Sequence, residues 1–226
     1  MLRNTWENRA SAPGRLVPDA VESRCRALFV QMQSTLPLDQ VLILGVTSPA
    51  RAVGRSTVAL GLALAGATLL GSASRVLLID ADLENPTLHQ RFGVANAPGL
   101  TEVLADEVPL DRAAVPIAAG VWLLPAGRQP RNVLRQLKEF EERHFFESLA
   151  AAFDALIVDL PPVHSPGLGT LPPRLVPRIC MVTLAGVTSG PDLQEAVAAL
   201  PPDHLAAVLL NGQRQRMPRW LDLVLP

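Results

Sequence analysis

The sequence predicts an α/β domain with a mainly parallel sheet and helices on both faces, and three observations carry that expectation. Six short runs are uniformly apolar: Val41 to Leu44, Val76 to Ile79, Val121 to Leu124, Ala155 to Val158, Ile179 to Val182 and Ala207 to Leu210. A strand exposed on one face alternates apolar and polar residues, so runs without alternation read as strands buried on both faces. Helical candidates near 56–72, 86–106, 130–152 and 190–200 fall between them, which is the pattern of repeated βαβ units. Asp80 and Asp159 close two of the runs, at the strand ends beyond which such sheets bind ligands.

Composition bounds the remaining choices. The 226 residues are 49% apolar and 18% charged with a formal net charge of -1. That is the balance of a packed globular domain, and it argues against disorder and against nucleic acid as a partner. Cys25 and Cys180 stand far apart with no CxxC or Cys/His spacing, so neither a disulfide framework nor a metal site is indicated and a reducing cytoplasm fits. Residues 1–18, with Pro13 and Pro18 among polar residues, read as a flexible arm lacking the apolar stretch of a signal peptide. From Asp19 the positions Val21, Cys25, Leu28, Val30 and Met32 suggest a helix that ends near Pro37. The domain then runs from 19 to 212, and 213–226 form a C-terminal extension. An uncharged run between Arg55 and Arg75 has nearly the length of a membrane span. Gly61, Gly66 and Gly71 interrupt it, and a helix buried under the sheet suits it better.

The first strand leads into Gly45-Val46-Thr47-Ser48-Pro49-Ala50-Arg51-Ala52-Val53-Gly54-Arg55-Ser56-Thr57, where a phosphate-binding loop would sit. A phosphate cradle needs small residues that let backbone N–H groups approach the anion, a helix N-terminus beneath it and a hydroxyl for Mg²⁺. Gly54, Ser56 and Thr57 supply these, while Arg55 stands where a lysine is usual. A plain strand–loop–helix corner with Ser56 as its N-cap would look similar. The second strand ends in Asp80-Ala81-Asp82, whose spacing aims both carboxylates to one side, at the C-terminal edge beside the first strand. Asp159, before Leu160-Pro161-Pro162, has the position of a Mg²⁺-orienting carboxylate at a strand end. Each acid alone is also compatible with helix capping.

The order of these motifs, together with Asp80-Ala81-Asp82-Leu83-Glu84-Asn85-Pro86-Thr87-Leu88-His89, Pro98-Gly99-Leu100-Thr101-Glu102-Val103-Leu104, Leu124-Pro125-Ala126-Gly127 and Asp159-Leu160-Pro161-Pro162-Val163, resembles the bacterial tyrosine kinases of polysaccharide export, within the MinD/ParA-like P-loop proteins. The resemblance covers about residues 20 to 212. It implies ATP or ADP with Mg²⁺ as cofactor, held by Gly54, Arg55, Ser56, Thr57 and Asn211. By the same resemblance Ser56, Asp80 and Asp159 would take the metal, while Asp80, as base or water-orienting group, Asp82 and Arg55 would serve catalysis. Asn211, followed by Gly212, fits either an adenine contact or an Asn-Gly turn.

The departures shape the functional expectation. Arg55 replaces the family's lysine, Ala52 and Val53 replace a glycine and an acid, and no acidic counterpart follows the Pro-Pro segment. The sequence contains no tyrosine, whereas the family's kinases carry a terminal tyrosine cluster. The resulting reading is a cytoplasmic pseudokinase recruited to the inner membrane face. It would be an accessory of exopolysaccharide or capsule biosynthesis that partners the cytoplasmic tail of a transmembrane, Wzz-like polysaccharide co-polymerase. The alternatives are an active ATPase or tyrosine kinase acting in trans and a MinD/ParA-type positioning ATPase. A homo-oligomer stays open, because the Glu/Arg pattern of the first helix is shifted in register. So does peripheral membrane contact through the basic and apolar residues from Arg214 to Leu225.

Overall fold

Successive residues of a strand point to opposite sides of a sheet, and in this chain both sides are apolar. The computed structural model describes residues 16–37, 40–130, 132, 145–165 and 172–212. Its seven strands are β1 (Leu42–Thr47), β2 (Val76–Asp80), β3 (Val115–Ala118), β4 (Val121–Leu124), β5 (Ala155–Asp159), β6 (Ile179–Leu184) and β7 (Leu205–Asn211). They form one sheet in the order β3-β4-β2-β5-β1-β6-β7. Every neighbouring pair is parallel except β3 with β4.

The helices are α1 (Asp19–Ser34), α2 (Arg55–Leu69), α3 (Leu88–Phe92), α4 (Leu100–Leu104), α5 (Leu110–Ala113), α6 (Phe145–Ala150) and α7 (Gly190–Ala198), with a 3₁₀ turn at Pro172–Leu175. They divide between the two faces. Leu42, Leu44, Val46, Leu78 and Ile157 pack with α1 and α2, whereas Ile43, Leu77, Ile79, Leu156 and Val158 pack with α4, α6 and α7. Each large side chain fully buried this way contributes about 1.5–3 kcal/mol.

The uncharged run is the buried helix α2, apolar around most of its circumference and closed by Gly71 at φ 105°. Its glycines serve close packing: a Cβ on Gly61 would lie 2.8 Å from Cys25 Sγ, and one on Gly66 would lie 2.7 Å from Phe29 Cε2 of α1. No helix among the described residues is long and apolar enough to cross a membrane.

Several expectations are revised. β2 is not beside β1, because β5 lies between them and pairs with both. A seventh strand, β3, forms an antiparallel edge. The expected helix over 86–106 is two short helices, since Gly93 ends the first at φ 63° and Pro98-Gly99 precede the second. Of the expected helix 130–152, α6 falls within the described residues. Most of the N-terminal arm and the C-terminal extension lie outside them, although Val17 is already buried against the α1–α2 layer.

Candidate functional site

The candidate site lies at the C-terminal ends of β1, β2 and β5. Gly54, in the left-handed region at φ 87°, is the N-cap of α2 and has no side chain with which to cap it. The first-turn amides of α2 are therefore not capped by the N-cap residue, and the positive end of the helix dipole faces the loop. Ser56 stands within that first turn instead of capping it. The loop is tied to β5 and its exit: Leu160 N donates to Val46 O at 2.9 Å, Val163 N to Ser48 O at 2.8 Å, and Thr47 Oγ1 to Pro161 O at 2.7 Å.

Arg55 is the hub of the charged groups. Its Nε donates to Asp159 Oδ1 at 2.8 Å and its Nη2 to Asp82 Oδ2 at 2.9 Å. The side chain is 11% exposed, and those of Asp82 and Asp159 are 2% and 1% exposed. Burial works to lower the guanidinium's pKa, but the carboxylates of Asp159 and Asp82 outweigh it and hold Arg55 charged. Arg51 adds a second, more exposed cation, with Nη2 donating to Ser165 Oγ at 3.0 Å and Nη1 lying 3.4 Å from Asp82 Oδ2.

Asp80 has a different environment. Its Oδ2 accepts from Thr87 N and Leu88 N, both at 3.1 Å, and its Oδ1 accepts from Asp82 N at 3.3 Å. It thus caps the entry to α3. Burial, and then the charge of Asp159 beside it on β5, push its pKa up to about 7 against the pull of the Leu88 and Thr87 amides. Burial also raises the pKa of Asp159, opposed by Arg55 and by the Ser56 hydroxyl. Asp159 Oδ2 is buried without a hydrogen-bond partner among the described residues.

A cleft of about 450 Å³ opens over these groups, lined among others by Gly54, Arg55, Ser56, Thr57, Asp82 and Asn85. Of the residues expected at one site, Gly54, Arg55, Ser56, Thr57 and Asp82 line this cleft, whereas Asp80 and Asp159, each 1% exposed, are not among its lining residues. Asn211 reaches the same loop from β7, with Nδ2 donating to Val53 O at 2.9 Å and Oδ1 accepting from Gly212 N at 2.9 Å. Gly212 is in the left-handed region at φ 70°. Arg51 and Arg91 also line the cleft and were missed. Arg51 was visible as a second cation in the loop, whereas Arg91, whose Nη1 donates to Thr57 Oγ1 at 3.1 Å, gave no local signal.

The phosphate end of a nucleotide fits the cradle at Gly54 and the α2 N-terminus. Mg²⁺ at Ser56, Asp80 and Asp159 does not fit this arrangement. Both Asp80 oxygens accept backbone N–H groups, and Arg55 occupies Asp159 Oδ1. Among the described residues no group of three or more His, Cys, Asp or Glu is placed to hold an ion.

This sheet order, loop and acid placement define a P-loop domain of the MinD/ParA-like type. The MinD cell division protein of Aquifex aeolicus superposes with a TM-score of 0.58 at 22% identity, over 75% of this chain and 68% of that one, a likeness of fold. The chain is a homologue of the bacterial tyrosine kinases. It is 34% identical over 148 residues to the tyrosine-protein kinase ptk of Acinetobacter johnsonii, covering 64% of this chain and 19% of that protein. With the tyrosine-protein kinase YwqD of Bacillus subtilis it shares 28% identity over 172 residues, 75% of this chain and 71% of that one. The kinase domain of the Escherichia coli tyrosine kinase ETK superposes with a TM-score of 0.73 at 26% identity, over 86% of this chain and 76% of that one. No protein-family model matches. The chain spans about a fifth of the length of the first relatives it matches.

Proposed function

We propose that the chain is a nucleotide-binding, kinase-like accessory domain whose own phosphoryl transfer is weak or absent. The observation that carries this reading is the double ion pair of Arg55 with Asp82 and Asp159. Phosphoryl transfer depends on a cation held in one geometry against the reacting phosphates. A lysine ammonium is a compact point charge, whereas the planar guanidinium fork is bulkier and here is engaged by two buried carboxylates. Losing one well-placed electrostatic contact costs about 3–4 kcal/mol of barrier, or two to three decades of rate.

In this reading Gly54, Ser56 and Thr57 receive the phosphates, Asn211 supports the loop against the base end, and Asp80 and Asp82 occupy the catalytic positions. The partner proposed from the family resemblance is the cytoplasmic tail of a transmembrane, Wzz-like polysaccharide co-polymerase. The placement proposed is the inner membrane face, in exopolysaccharide or capsule export. The assembled acids Asp80, Asp82 and Asp159 favour a second reading, an active ATPase or kinase acting in trans. Single-turnover ATP hydrolysis with calorimetric binding on the parent, Arg55→Lys and Asp80→Ala separates them. Binding with very slow turnover, raised by Arg55→Lys, is expected. Turnover at the rate of an active family kinase, abolished by Asp80→Ala, would overturn the accessory reading. Crosslinking from membranes tests the partner, and recovery without any co-polymerase would remove it.

A further inference from the structure

We propose that Arg55 is the built-in cation of this site, so that the cleft takes the phosphates of a nucleoside di- or triphosphate without a divalent metal. The inference rests on the nucleotide-site reading and names how that site is neutralised.

In a metal-dependent phosphate site, clustered carboxylates create a negative field that a dication must fill before a polyanion can enter. Here the field is already filled. Asp82 and Asp159, almost wholly buried, each give an oxygen to the Arg55 guanidinium at 2.9 and 2.8 Å. A Mg²⁺ ion at those oxygens would need ligand distances of about 2.0–2.1 Å and near-octahedral geometry. It would have to expel the guanidinium, leaving a largely buried cation unpaired, or share carboxylates with it as a like charge a few ångströms away. Among the described residues the one buried acid oxygen without a hydrogen-bond partner is Asp159 Oδ2.

The cleft itself is cationic. Arg55 uses Nε and Nη2 on the acids, and Nη1 makes no hydrogen bond among the described residues. Arg51 and Arg91 line the same cavity, Arg51 with 44% of its side chain exposed. Arg51, Arg55 and Arg91, with Gly54 ahead of the α2 N-terminus, line a space in which Asp82 is the only acid among the lining residues. Arg91 also donates to Thr57 Oγ1 and the Leu16 carbonyl, and Arg51 also lies 3.7 Å from Glu84 Oε2. Charge-assisted N–H donors of this kind grip phosphate oxygens directly.

Calorimetric titration of the full chain with ADP and with ATP, each in EDTA and in excess MgCl₂, tests the inference. The parent is expected to bind with dissociation constants within about threefold of one another in the two media. Arg55→Lys, whose single ammonium cannot span both acids, is expected to gain about tenfold or more on adding Mg²⁺. Thermal shift with MgCl₂ alone gives a second readout: no stabilisation of the parent and a measurable rise for Arg55→Lys. Parent binding that is lost in EDTA and restored by Mg²⁺ overturns the inference and leaves the nucleotide site standing. Absence of binding to ADP and ATP in both media overturns the nucleotide reading itself.

Discussion

Asn211, at the end of the strand that closes one edge of the sheet, donates from Nδ2 to the carbonyl of Val53 at 2.9 Å. The contact pins the loop immediately before Gly54. A Cβ on Gly54 would stand 2.3 Å from that same Nδ2, on a residue whose φ of 87° already disfavours any L side chain. Gly54→Ala is therefore expected to destabilise the domain by about 1–3 kcal/mol. Combining it with Asn211→Ala should relieve the clash but not the backbone strain. Urea denaturation of the two single variants and the double variant measures both parts.

Removing the guanidinium from between Asp82 and Asp159 leaves Asp159 buried without its cation and Asp82 with the more exposed Arg51 alone. Arg55→Ala is expected to cost about 3–5 kcal/mol, the usual penalty for breaking a buried pair. Arg55→Ala with Asp159→Asn should be more stable than Arg55→Ala alone, because the amide carries no charge to desolvate. A double-mutant cycle from chemical denaturation gives the coupling, and a coupling near zero would show that the ion pair adds nothing to stability.

Asp80 has its pKa pushed up to about 7 by burial and by Asp159, against 3.8 for the unperturbed carboxyl. The folded state then binds more protons than the unfolded chain between about pH 4 and pH 7, so stability is greatest at the acid end and falls as pH rises through that window. Asp159, whose pKa burial also raises, adds a slope of the same sign. A tenfold difference in proton affinity between the folded and unfolded chain is worth about 1.4 kcal/mol, so stability changes by on the order of a few kcal/mol across the window. Asp80→Asn should flatten the profile, and urea midpoints taken across the range read the slope.

Glu102 is 3% exposed and accepts from Gly99 N at 2.7 Å, from Thr101 Oγ1 at 3.2 Å and from Arg128 N at 3.1 Å. It joins the start of α4 to the turn after β4, where Leu100 N also donates to Pro125 O at 2.7 Å. Glu102→Ala leaves several of these donors without their acceptor and is expected to cost about 1–3 kcal/mol per unpaired buried group. Glu102→Gln keeps an acceptor oxygen and should lose less. The ordering of the two melting temperatures is the check.

That clasp illustrates what could be read from residues alone. The segments Pro98 to Leu104 and Leu124 to Gly127 were recognisable separately, but their meeting through Glu102 depends on β4 lying next to β2. Five of the six parallel strands were legible because burial on both faces leaves an uninterrupted apolar run in the chain; β7 carries such a run at the sheet edge, where Val208 and Leu210 are 48% and 42% exposed rather than buried as expected. β3 was not, since Val115-Pro116-Ile117-Ala118 is short, half-buried and carries a proline at the sheet edge. The replacement of lysine by Arg55 was equally plain from the sequence. That its fork reaches Asp82 and Asp159 together was not, because both contacts require β5 to sit between β1 and β2, and no local pattern encodes that order.

The same strand order has a consequence for synthesis. β1 leaves the ribosome before both its neighbours, β5 and β6, which come from beyond residue 154. Until about Leu184 has emerged, β1 lacks its full set of partners, and before β5 the Arg55 fork has at most one of its two acids. The phosphate loop therefore cannot mature as the chain elongates. It assembles late, after long-range pairings of the kind that fold slowly, and the nascent half-domain shows its apolar β1 edge to whatever chaperone meets it first.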